Sequence, residues 1–175
     1  MLDVAVAYNR FKFLGDEFLT WLWFIIENDQ SFIRNWDSDF VSLKIGNRIV
    51  LENRTNEGVE RITIKGDLAG LDEGILALSK GAMVCELNMV YKTGENESKF
   101  TVKGESLNIS SLSTPSTGAP ETPEDAEGCV IEKAYHYDQV ITLLHNLYNH
   151  FIKLRISNDW TNKRLPAINK WVKSA

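Results

Sequence analysis

Residues 18–26 read Phe-Leu-Thr-Trp-Leu-Trp-Phe-Ile-Ile, and this run constrains the chain more than any other. As a helix it would carry apolar side chains all the way round, and a helix with no wet side is buried or sits at an interface. At nine residues it is far short of the ~20 needed to cross a bilayer. Asp16 and Glu17 precede it, and it lies too far inside the chain for a signal peptide. The expectation is a cytoplasmic chain with no membrane span, whose first helix covers 14–28 with Asp16 as a cap. Trp21 and Trp23 point in different directions. Either both belong to the core, or one serves the core and the other a partner. Phe18, Trp21, Trp23 and Phe24 are therefore interface candidates.

Burying such a helix needs a core, and the composition supplies one: 43% of 175 residues are hydrophobic and 25% charged, ordinary for a globular protein. Cys85 and Cys129 have no CxxC or finger spacing and are read as reduced thiols. Strands are expected at 41–45, 48–54 and 59–65, the last two joined by Thr55-Asn56-Glu57-Gly58 with Gly58 free to take positive φ. This hairpin alternates. Ile49, Leu51, Ile62 and Ile64 lie on one face, and Arg48, Val50, Glu52, Arg54, Arg61, Thr63 and Lys65 on the other. A short helix over 67–80 follows, stopped by Gly81. A second hairpin spans 83–91 and 99–103 around Thr93-Gly94-Glu95-Asn96, with Met83, Cys85, Leu87 and Met89 facing in. Leu107, Ile109 and Leu112 extend the β region. Residues 113–128 hold three of the four prolines, four acids and no base, which describes a flexible acidic Pro/Ser/Thr-rich linker. A long helix over 129–156 carries Tyr137, Val140, Leu144, Leu147, Phe151 and Leu154 at spacings of 3, 4, 3, 4 and 3, a core-facing stripe or a dimer seam. A short helix after Pro166 closes the chain. The whole is read as a single α+β domain over 1–175, an antiparallel sheet of about five strands packed with helices, the long C-terminal one included.

No pattern of catalysis is present. The sequence has no Walker loop and no nucleophile elbow. His136, His145 and His150 stand nine and five residues apart on one helix, not the i, i+4 of a helical metal site, and read as surface or boundary residues. The expectation is a non-enzymatic protein with no metal and no cofactor. Two basic clusters stand out against a net charge of −5. One is the wet face of the first hairpin: Arg48, Arg54, Arg61 and Lys65 against a single acid, Glu52. The other runs from Lys153 through Arg155, Lys163, Arg164, Lys170 and Lys173, opposed by Asp159 and interleaved with Trp160 and Trp171. Both are candidates for contact with phosphates. The acidic surplus lies largely in residues 105–138.

Gly15-Asp16-Glu17-Phe18-Leu19-Thr20-Trp21-Leu22-Trp23-Phe24 resembles the segment that opens the second half of recombination-associated RdgC-like proteins. Leu107-Asn108-Ile109-Ser110-Ser111-Leu112-Ser113-Thr114-Pro115 is similar to the close of that family's β region. Glu132-Lys133 and Phe151-Ile152-Lys153-Leu154-Arg155-Ile156-Ser157, with Trp160, are similar to the C-terminal helix of its delta-proteobacterial members. The resemblance implies a non-enzymatic protein of the nucleoid that binds double-stranded DNA with little sequence preference. In that family a ring-shaped dimer surrounds the duplex and restrains RecA-driven recombination. The family's N-terminal half has no counterpart here. The expected partners are thus DNA and either a second copy of the chain or a separately encoded N-terminal-half protein. The other reading of the same features is a protein-interaction subunit that docks through its aromatic first helix.

Overall fold

The computed structural model describes residues 13–55, 58–66 and 69–173. Five strands form one antiparallel sheet in the order β2-β1-β3-β4-β5, with β1 Phe40–Thr55, β2 Gly58–Lys65, β3 Met83–Thr93, β4 Asn96–Lys103 and β5 Ile109–Ser113. Helices α1 Phe13–Asn28, α2 Ala69–Ser79, α3 Pro123–Arg155 and α4 Leu165–Val172 pack together on one side of the sheet. The expected α+β architecture is the one observed.

The apolar run of α1 lies against the sheet's inner face. Phe18, Leu19, Trp21, Leu22, Trp23 and Phe24 are all buried, and both tryptophans belong to the core. They meet α3 and α4 on their other side. Trp21 and Phe18 pack on Phe151, and Trp23 and Phe24 take the edge of Trp171. Burying one large apolar side chain is worth about 1.5–3 kcal/mol, which makes α1 the hydrophobic centre of the molecule. Phe18, Trp21, Trp23 and Phe24 are therefore not a surface available to a partner. Asp16 is no cap. It sits inside the first turns of α1, buried, with an ion pair to Arg54 at 3.3 Å.

Three features depart from the sequence reading. The two strands expected at 41–45 and 48–54 are one strand. The register against β3 slips between Ile45 and Ile49, so that Gly46, Asn47 and Arg48 together oppose Asn88. Asn88 stabilises the irregularity by accepting the Asn47 amide and donating to the Phe100 carbonyl and Thr101 hydroxyl. Next, Val50 pairs with Glu86 and Leu51 with Val84, which leaves Cys85 as an extra residue in β3. A bulge reverses the alternation beyond it. Val84 enters the core with Leu87 and Met89, and Met83 and Cys85 do not. Finally, the long helix begins at Pro123, inside the stretch expected as linker. Thr122 and Asp125 exchange hydrogen bonds in a capping box, and Pro123 occupies the first turn, where a missing N–H costs nothing.

The long helix faces the core. Its buried residues are His136, Val140, Leu143, Leu147 and Phe151, the stripe of a straight α-helix, so Tyr137 turns outward and His136 inward. Helix α2 ends as its glycine requires. Gly81 takes φ +93°, its amide bonds the Leu78 carbonyl, and the Ala82 amide reaches the Ala77 carbonyl, a Schellman closure. Ile75 and Leu78 pack on the core, and Leu68 and the side chain of Leu71 lie outside the described set. The turn residues 56–57 also lie outside it, and Gly58 has φ +149°.

Candidate nucleic-acid interface

The four described helices share one side of the sheet, and none of them lies on its other, open face. The strand pairing identifies the side chains on that face. Arg48 lies opposite Lys65, Glu52 opposite Arg61, Val50 opposite both Thr63 and Glu86, and Arg54 opposite Val59. The four basic residues of the first hairpin therefore stand together. The pattern continues across the sheet. Lys44 pairs with Val90, Val90 with Lys99, Lys92 with Glu97, Asn88 with Thr101 and Glu86 with Lys103. Eight cations thus share the open face with three carboxylates, Glu52, Glu86 and Glu97, in a chain whose net charge is −5.

Lys44, Lys92, Lys99 and Lys103 were missed by sequence reasoning because it treated the first hairpin as an isolated ribbon. The alternation Lys99-Phe100-Thr101-Val102-Lys103 carried the signal. What it lacked was the register that lays this strand two places from β1.

The open face is more internally paired than a single opposing acid implied. Glu86 lies between two guanidiniums, Arg48 at 3.3 Å and Arg61 at 2.5 Å, and is itself nearly covered. Arg54 reaches both Glu52 and Asp16. Burial alone would lower the Arg54 pKa. The hydrogen bond to Glu52 and the charges of Asp16 and Glu52 outweigh it, and the pKa is raised. These pairs fix the guanidiniums in position and leave Arg48, Arg54 and Arg61 about half exposed. Among the described residues Lys44, Lys65 and Lys103 are exposed. Between Arg48 and Lys99 runs a polar groove of about 490 Å³, lined also by Asn47, Asn88, Thr101 and Ser111. Ser111 holds φ +52°, a conformation uncommon for a residue with a side chain. Lys99 bonds Glu97 at the groove's rim.

The C-terminal cluster is differently built. Arg155 donates to Glu17 at 2.8 Å and lies over the Trp160 ring, and Lys163 pairs with Asp159. Trp160 is buried and Trp171 packs on α1, so the interleaved tryptophans serve the core. Lys153, Lys170 and Lys173 are exposed and Arg164 is half-buried. They are spread over α3, the π-turn Trp160–Arg164 and α4 with its cap, with Arg164 and Lys153 both near His150.

The thiol of Cys85, near the open face, donates to the Val50 carbonyl, and burial, helped by the Glu52 charge, pushes its pKa up to about 12. A thiol in that state is not a thiolate at neutral pH. What the arrangement can do is present fixed positive charge and hydroxyl groups to an extended polyanion.

The fold and the face together define an α+β protein whose sheet carries the described helices on one face and a cluster of basic residues on the other. Comparison with known proteins gave no matching family model, no matching curated protein and no matching solved structure. Among the described residues no helix is long and apolar enough to cross a membrane.

Proposed function

We propose that this chain is a non-enzymatic, RdgC-like protein of the cytoplasm and nucleoid that holds the phosphate backbone of double-stranded DNA on the open face of its sheet and so bears on recombination. The observation that carries the reading is the segregation of charge. Eight cations against three acids lie on the sheet face away from the described helices, while the chain as a whole is acidic. A local field of one sign attracts a polyanion although the remaining surface repels it. Four gaps of about 4.8 Å between strands make the surface roughly 19 Å across. That is wide enough to contact phosphates on both sides of a ~12 Å major groove. Phosphate contacts position a protein without reading sequence, and none of the described helices lies on the face to enter a groove.

The test is a duplex titration by fluorescence anisotropy across salt. If about five phosphates are neutralised, log K falls with log salt at a slope of about −4.5, a loss of roughly 500-fold between about 50 and 200 mM. Unrelated duplexes of equal length should bind alike. Binding that ignores salt, or none at the lowest salt, would contradict the reading.

A further inference from the structure

The first half of α3 leaves the body of the protein with apolar residues uncovered. Val130 is 67% exposed, Tyr137 43% and Ile141 53%. With Ala134 they stand at spacings of 4, 3 and 4, one stripe along the helix. The stripe does not stop at Ile141. It continues through Leu144 and Tyr148, which with Leu107 and Ile109 line an apolar groove of about 220 Å³ between α3 and the β5 edge. One half of the helix thus offers a bare apolar ridge and the other half an apolar groove, on a single continuous track.

The same helix is divided by charge. Residues 121–138 contain six acids and one lysine, and residues 139–155 contain no acid, two histidines, Lys153 and Arg155. Two copies laid parallel would set acid on acid. Laid antiparallel, each acidic half lies beside the partner's acid-free, basic-ended half, and each ridge reaches the other's groove.

We infer that α3 pairs antiparallel with α3 of a second copy of this chain, the ridge of each seated in the groove of the other. The stripe from Val130 to Leu144 is centred on Tyr137, which places the two-fold axis there. Val130 then meets Leu144 of the second copy, a self-complementary contact that closes on itself. The pairing rests on the helix alone and not on the DNA reading.

Sedimentation velocity of the wild-type chain over a wide concentration range should show a monomer–dimer equilibrium. Ile141→Glu buries an unpaired charge beside the axis and should weaken association at least about a hundredfold, with the monomer's thermal melting retained. Disulfide mapping in the Cys129→Ser background needs no intact affinity. Tyr137→Cys should cross-link to itself. Val130→Cys should link to Leu144→Cys but not to another Val130→Cys. A wild-type chain that stays monomeric at every concentration overturns the inference, and so does self-linking by Val130→Cys, the signature of parallel pairing. Neither result touches the duplex titration, which fails or succeeds separately.

Discussion

At Gly15 the first helix meets the sheet with nothing between them. A methyl group there would run into the backbone carbonyl of Gly104, and Gly104 in turn has Asp16 and Gly15 against it. Neither glycine needs an unusual φ. Each is required for close approach, and that approach brings Asp16 within reach of Arg54. Gly15→Ala should therefore destabilise by about 1–3 kcal/mol or more through overpacking, read as a lower urea midpoint. Gly118→Ala, with open space around it, should leave the midpoint almost unchanged. A second residue-scale prediction concerns His150. Its ring stacks on Phe32 at 4.7 Å and contacts Trp21 and Trp36. Burial, then the charges of Arg164 and Lys153, lower its pKa below the usual 6.5. In the unfolded chain His150 takes up a proton first as pH falls past 6.5, so the native state loses stability on acidification. The stabilisation is complete above that pH and is lost on the way down. Chemical denaturation between about pH 7 and pH 5 should show the decline, and His150→Gln should flatten it. An unchanged slope in the variant would assign the decline to other groups.

At the scale of elements, the capping box at the start of α3 makes a direct prediction. Thr122→Ala removes the hydroxyl that accepts the Asp125 amide and should cost about 1 kcal/mol, measurable by denaturant melts monitored at 222 nm. A loss near zero would mean that this end of the helix frays freely. The box also shows why the sequence was misread there. Thr122-Pro123-Glu124-Asp125 has the composition of a linker and of a helix start alike, because proline and acids suit both. What was legible were the elements with strong periodicity: the α1 run, the first hairpin with its register, the hairpin turning on Gly94 and the stop at Gly81. What was not legible were the places where a strand breaks its own alternation. The bulge at Cys85 exists because Val50 pairs with Glu86 while Leu51 pairs with Val84, a mismatch between two strands that neither strand shows alone. The same holds for Gly46, whose missing side chain makes room for Asn88, a residue 42 positions away in the chain.

The whole molecule divides by face. One side of the sheet carries the aromatic core and the described helices, and the other carries fixed guanidiniums and exposed lysines around a polar groove. Half of this site was visible in the sequence, as Arg48, Arg54, Arg61 and Lys65. The rest, Lys44, Lys92, Lys99 and Lys103, joins it only through the pairing of β1, β3 and β4. The C-terminal cations form a separate set on α3, the π-turn and α4. The measurement that tests the account most directly compares duplex affinity, at fixed low salt, for two charge-reversed chains. One carries Lys44→Glu, Lys65→Glu, Lys99→Glu and Lys103→Glu on the open face. The other carries Lys153→Glu, Lys163→Glu, Lys170→Glu and Lys173→Glu. All eight residues are exposed, so both chains should fold, and circular dichroism confirms that first. The open-face variant should lose duplex binding and most of its salt dependence, and the C-terminal variant should retain both. Retained binding by the open-face variant, or its loss only in the C-terminal one, would contradict the assignment of DNA to the sheet.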